Sequence, residues 1–165
     1  MKIVNDFLVG AHIKLTVNVG EETLIPYYIV LHYDAANNPH SAISWMLNPA
    51  SQVSAHLHIS RYGVVTQLAS FAKKCWHAGI SSWDGLTDLN TYSIGIELQN
   101  DGYEPYPLIQ LSTLRSICET LVATYPIKEI LGHSDISPGR KIDPGKHFPM
   151  HEFKSLVKSE KIIDK

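Results

Sequence analysis

The sequence predicts an α/β protein: a single domain with a central mixed β-sheet flanked by α-helices. β-rich apolar runs alternate along the chain with helical periodicity, and polar turn-formers separate them. Size agrees, because 165 residues correspond to one domain of roughly 100–200 residues. Such a chain buries ~70% of the surface exposed by its unfolded form, enough for a core of its own. Residues 1–165 therefore read as one domain, with no internal repeat and no low-complexity stretch.

The elements follow in order. Tyr27–His32 is β-rich and nearly all apolar, as a strand buried on both faces is, and it ends in a polar residue. Asn37, Asn38 and Pro39 form a turn, and Ser41 caps a short helix over Ala42–Leu47 that stops at Asn48 and Pro49. Ala55–Ser60 alternates: Ala55, Leu57 and Ile59 on one side, His56 and His58 on the other. Arg61-Tyr62-Gly63 turns the chain into a second strand, Val64–Leu68, making a hairpin. Ser70–Asn90 has no clear pattern, and Trp76-His77-Ala78-Gly79 within it reads as loop or short helix. Tyr92–Gln99 is a further strand, in which Gly95 marks close approach by a neighbour. After Pro105 and Pro107 comes a long amphipathic helix with Leu108, Leu111, Leu114, Ile117, Cys118, Leu121 and Val122 on one face, ended by Pro126. Ile127–Leu131 is a short strand, Gly132–Phe148 a Gly- and Pro-rich polar loop, and Pro149 opens a last helix through Val157.

Composition excludes several functions. Hydrophobic residues make up 44% and charged residues 18%, which argues against disorder. The net charge of −2 and the lack of a basic cluster exclude a polybasic binder of nucleic acid or membrane surfaces. The longest apolar run, Leu24–Leu31, carries Pro26 and is far short of the ~20 residues that span a bilayer. Met1–Gly10 contains Asp6 and does not read as a signal peptide, so the expected compartment is the cytoplasm; a phage lytic enzyme reaching the wall by an assisted route is the alternative. The two cysteines, Cys75 and Cys118, form no CxxC, which excludes a thiolate zinc ribbon and a thioredoxin-type pair. Both read as structural thiols, and a disulfide between them is not suggested by a domain of this size. No GxSxG exists to support a serine hydrolase. No signal for an oligomeric state is present.

Histidine stands out, with nine copies, and it is the commonest metal ligand. His32 ends the first apolar strand, Glu97 lies in the Tyr92–Gln99 strand, and His133 follows the Ile127–Leu131 strand by one glycine. Strand ends and the loops after them are where sites collect in α/β sheets. Asp143 lies in Gly139-Arg140-Lys141-Ile142-Asp143-Pro144-Gly145, a loop shaped to fold an Asp back towards His133. Two histidines and a carboxylate suffice for a catalytic zinc with one open position. Glu97 is then the candidate to carry a proton, and Lys141 to face an oxyanion. Each residue taken singly has a plainer reading: a strand-end histidine satisfied by a carbonyl, a loop histidine, a solvated carboxylate, a surface lysine. His56 and His58 share a strand face and form a rival metal pair; otherwise they line the groove or face water. His147 and His151 read as surface residues.

The order of the blocks adds to these readings, leaving open whether His56 and His58 contribute. Ile29-Val30-Leu31-His32 is followed by Ser54-Ala55-His56-Leu57 and Trp76-His77-Ala78-Gly79. Then come Ser93-Ile94-Gly95-Ile96-Glu97-Leu98, Gly132-His133-Ser134-Asp135-Ile136 and Pro138-Gly139-Arg140-Lys141-Ile142-Asp143-Pro144-Gly145. This series, over about Tyr27 to Phe148, resembles the zinc-dependent N-acetylmuramoyl-L-alanine amidases: AmpD, the phage lysozyme-like amidases and the peptidoglycan recognition proteins. The resemblance implies that fold, zinc on His32, His133 and Asp143, and Glu97 and Lys141 as catalytic groups. It implies substrate-lining roles for Trp76 and His77, a carboxylate-pairing role for Arg140, and sugar or lactyl contacts near Tyr33, where several AmpD-like members carry Asn. The implied reaction hydrolyses the amide between the lactyl group of N-acetylmuramic acid and L-alanine, in peptidoglycan or anhydro-muropeptides. The alternative is a peptidoglycan-binding module without catalysis.

Overall fold

The computed structural model describes residues 1–36 and 38–158. In chain order its strands are β1 (Ile3–Val4), β2 (Phe7–Leu8), β3 (His12–Ile13), β4 (Val19–Thr23), β5 (Tyr28–Tyr33), β6 (Leu57–Ile59), β7 (Val65–Gln67), β8 (Lys73–Cys75), β9 (Ser82–Trp83), β10 (Leu86–Thr87), β11 (Ser93–Leu98) and β12 (Glu129–Gly132). The helices are α1 (Pro39–Leu47), α2 (Leu108–Thr124), α3 (His133–Ile136) and α4 (Met150–Lys158). One six-stranded mixed sheet, in the order β12-β5-β11-β6-β7-β3, holds them together. Strands β12, β5, β11 and β6 are mutually parallel, β7 returns antiparallel to β6, and β3 pairs parallel with β7.

The two faces of this sheet divide structure from site. Ile29 and Leu31 of β5, Ile94, Ile96 and Leu98 of β11, and Leu57 and Ile59 of β6 join one apolar cluster with Leu114, Ile117, Cys118 and Leu121 of α2 and Phe153 and Val157 of α4. Each such side chain, fully buried, contributes about 1.5–3 kcal/mol. The alternate residues lie on the opposite face, as strand periodicity demands. There Tyr28, Val30 and Leu131 pack with Ala78, Leu89 and Ile136, and the polar row His32, Glu97 and His58 lies in register across three strands.

The predicted mixed sheet is the one observed, with local differences. Asn38, not Ser41, caps α1: its side chain accepts the His40 amide at 2.9 Å and Pro39 fills the first helical position. Leu108, the first residue of α2, is 85% exposed. Gln110 takes an interior position instead, donating to the carbonyls of Ile59 and Gln99. The four N-terminal strands are too short or too polar to show a period. One turn of helix, α3, begins inside the segment read as loop. Among the described residues no helix is long and apolar enough to cross a membrane.

Candidate metal centre

β5 and β12 are neighbouring parallel strands, so their C-terminal ends emerge side by side. His32 lies near the end of β5, and His133 opens α3 directly after β12. The Gly139–Gly145 loop then folds back over them. Ser134 donates its amide to the Asp143 carbonyl at 3.0 Å, and the Tyr106 hydroxyl holds the Pro144 carbonyl at 2.8 Å. Gly132 makes this approach possible, because a Cβ there would lie 2.8 Å from Pro144 Cδ. The Asp143–Pro144 peptide bond is cis.

Three donor atoms converge. His32 Nδ1 lies 2.9 Å from His133 Nδ1 and 3.1 Å from Asp143 Oδ2, and His133 Nδ1 lies 3.0 Å from the same oxygen. All three residues are buried, and among the described residues they are the group of histidine, cysteine and acidic side chains able to hold a metal ion. Burial lowers the His32 imidazole to about 4, so the ring is neutral at physiological pH. Burial works against ionisation of Asp143, but hydrogen bonds and charge from His133 and His32 outweigh it and hold the carboxyl well below the usual range.

Around the trio is a cleft of about 500 Å³ whose walls include Tyr33, Trp76, Glu97, Arg140, Lys141 and Ile142. Glu97 Oε2 is buried without a hydrogen-bond partner. Burial first, then the charges of Asp143 and Asp34, raise its carboxyl to about 8, with Lys141 opposing. Glu97 is half-buried, and a carboxyl with one oxygen buried and unpartnered, in a cleft beside a metal-capable trio, is a candidate for proton transfer.

The remaining predicted residues fall into place unevenly. Tyr33 and Trp76 line the cleft, each half-buried. His77 reaches it but is nearly buried, with Nδ1 3.0 Å from His32 Nε2. Arg140 is exposed overall, yet its Nη2 donates to the carbonyls of Ala78 and Ile80 and to Ser137 Oγ at 2.7–2.8 Å. A stem-peptide carboxylate would have to use its other N–H groups. His147 and His151 are exposed, as read from the sequence.

His56 and His58 neither pair around a metal nor face water. Both are buried. His56 Nε2 donates to the Lys73 carbonyl at 2.8 Å while its Nδ1 accepts the Gly95 amide at 3.0 Å. His58 Nε2 is 2.8 Å from Asp34 Oδ2. Alternation places them on the sheet face that carries the site, but there His56 is engaged by β8, β11 and the His77 ring, and His58 by Asp34. Asp34 was not singled out from the sequence. Its place two residues after His32, in a strand-end loop, was the available signal.

The comparisons with known proteins agree with this geometry. Residues 22–146 match the family model described as N-acetylmuramoyl-L-alanine amidase. The chain is 40% identical over 110 residues to the 1,6-anhydro-N-acetylmuramyl-L-alanine amidase AmpD of Haemophilus influenzae, covering 65% of this chain and 60% of that protein. It is 35% identical over 142 residues to the amidase AmiD of Escherichia coli, covering 75% and 50%. The chain thus spans about 60% or less of the length of these curated relatives. Among solved structures, a selenomethionine derivative of AmpD superimposes with a TM-score of 0.82 at 29% identity, covering 95% of this chain and 99% of that one. E. coli AmiD, in complex with the substrate anhydro-N-acetylmuramic acid-L-Ala-D-γ-Glu-L-Lys, superimposes with a TM-score of 0.74 at 31% identity, covering 82% and 59%.

Proposed function

The chain belongs to the N-acetylmuramoyl-L-alanine amidase family, and from that premise we propose that it is a zinc-dependent hydrolase of the amide joining the lactyl group of N-acetylmuramic acid to L-alanine. The observation that carries the proposal is the trio itself: two imidazole nitrogens and a carboxylate oxygen within 3.1 Å of one another, in a cleft also lined by Glu97, whose Oε2 is buried without a hydrogen-bond partner. Nitrogen and carboxylate donors, three in number, are the set of a catalytic zinc site with an open position. Bound there, zinc would polarise the scissile carbonyl and lower the pKa of water.

The protein's own groups account for the rest. Burial raises the Glu97 carboxyl in the metal-free site, and the positive charge of a bound zinc would favour its ionised form; as carboxylate it is the group proposed to accept a proton from the attacking water and return it to the leaving amine. The Lys141 ammonium, whose charge is felt by both His32 and Glu97, faces the negative charge that develops on the carbonyl oxygen. The water oxygen joins the carbonyl carbon, the C–N bond breaks, and the amine of L-alanine leaves with the proton from Glu97. Tyr33, Trp76 and Arg140 line the cleft and are the groups proposed to hold the muramic acid and stem peptide.

The proposed substrate is an anhydro-muropeptide. Likeness to a 1,6-anhydro amidase and to AmiD, whose solved complex holds such a fragment, supports it. The test is mass spectrometry of products from a defined anhydro-N-acetylmuramyl peptide. The proposal predicts a stem peptide with a free L-alanine amino group and an anhydro-muramic acid with a free lactyl carboxylate. Cleavage at any other bond overturns it.

A further inference from the structure

We infer that the loop Trp76–Gly79 sets the orientation of both histidines of the metal trio, the His77 ring acting on His32 and the Ala78 carbonyl on His133. The inference rests on the metal-site reading above. The resemblance assigned His77 to substrate lining; its hydrogen bonds point to a positioning role.

The proton positions follow from the partners. His77 Nε2 faces the Ser93 carbonyl and the Ser93 hydroxyl, each at 3.4 Å. That hydroxyl gives its own hydrogen to the Leu89 carbonyl at 2.6 Å. Both groups can therefore only accept, and His77 carries its proton on Nε2. Its Nδ1 is then a lone pair, which accepts from His32 Nε2 at 3.0 Å. With the His32 proton fixed on Nε2, its Nδ1 lone pair is turned towards His133 and Asp143. On the other histidine, Nε2 donates to the Ala78 carbonyl at 2.9 Å, which turns His133 Nδ1 into the same space. Outer hydrogen bonds of this kind fix tautomer and ring orientation in metal sites. Here adjacent residues supply both.

The loop is itself held. Asn90 Oδ1 accepts the amides of His77 and Ala78 at 2.9 and 2.7 Å. Arg140 Nη2 donates to the same Ala78 carbonyl. Gly95 makes room for the ring, since a Cβ there would come within 2.4 Å of His77 Cγ. The glycine in the central strand thus serves the imidazole that lies on it.

Two replacements of His77 separate the readings. Asn offers an acceptor where Nδ1 stands, and Leu has nearly the same shape without one. Zinc affinity is read by competition with a chromophoric chelator, alongside kcat and KM on the anhydro-muropeptide. His77→Leu should weaken zinc binding 10–100-fold, the usual cost of losing an outer-shell partner. His77→Asn should restore most of it, and KM of the zinc-saturated proteins should stay near that of the unaltered protein. Unchanged zinc affinity in His77→Leu with a raised KM overturns the inference and returns His77 to substrate lining. A second measurement needs no variant: long-range ¹H–¹⁵N spectra of the zinc-loaded natural protein should show protons on Nε2 of His32, His77 and His133. A proton on His77 Nδ1 overturns the inference. If the protein shows this pattern and binds zinc but leaves the muropeptide intact, the amidase reading fails and the positioning role stands. If it cleaves the muropeptide while His77→Leu binds zinc undiminished, the reverse holds.

Discussion

Glu97 lies across from His32 in the parallel ladder between β11 and β5. The proposed proton carrier and a proposed ligand are thus held by two adjacent strands in the middle of the sheet. A slip of one residue in that register would turn one of them into the apolar layer under α2 and α4. The apolar residues on either side, Leu31 and Leu98 among them, oppose the slip by their burial.

Replacing Glu97 by Gln should leave zinc content unchanged and reduce turnover by about 10²–10⁴-fold, the range for loss of a general acid–base group. Metal analysis and kcat on the same preparation check it. Turnover near that of the natural protein removes the proton-carrying role.

Lys141→Ala should likewise retain its metal and lose about 2.7–4 kcal/mol of barrier lowering if the ammonium acts as an oxyanion donor. Loss seen in KM alone, with kcat intact, would instead mark Lys141 as a binding group.

His56 predicts acid sensitivity of the fold. Burial lowers its imidazole from 6.5 to about 4, with hydrogen bonds to Lys73 and Gly95 opposing only in part. Between those values the unfolded chain binds a proton and the folded one does not, so stability falls as pH drops from 6.5 towards 4. The contribution is full above 6.5 and reaches a loss of about 3 kcal/mol at the acid end, at 1.36 kcal/mol per pH unit. Denaturant midpoints for the natural protein and His56→Gln should converge as pH falls through this window. A constant gap between them would contradict the account.

Both thiols should be inert in the native state. Burial pushes the Cys75 thiol up to about 12 and Cys118 higher still, and neither is in a disulfide. A chromogenic disulfide reagent at pH 8 should titrate no thiol in the folded protein and both after denaturation. Rapid reaction of either without unfolding would contradict the burial.

Much of this was legible because it rests on short-range patterns. β5 and β11 announce themselves as apolar strands, and the Gly-Pro run before Asp143 announces a shaped loop. Gly95 marked a close approach, now seen as the His77 ring. What was not legible depends on tertiary pairing. β1 to β4 take their structure from partners such as Gln67, whose side chain accepts the Leu8 amide. Leu108 fits the helical period, yet it is the first residue of α2 and is exposed, while Gln110, off that period, is buried. At the site, the sequence named the trio, Glu97 and Lys141, whereas the role of His77 depends on which groups face each ring nitrogen. Spacing carries no trace of that.

The central claim, that His32, His133 and Asp143 hold a zinc ion required for amide hydrolysis, is tested most directly by stripping and reloading. The protein is freed of metal with a chelator, titrated with zinc, and assayed at each step by mass spectrometry of an anhydro-muropeptide. The account predicts no free stem peptide from the stripped protein, full release at one zinc per chain, and no recovery in Asp143→Asn. Undiminished release by the stripped protein, or an intact amide after incubation with the zinc-loaded one, would contradict it.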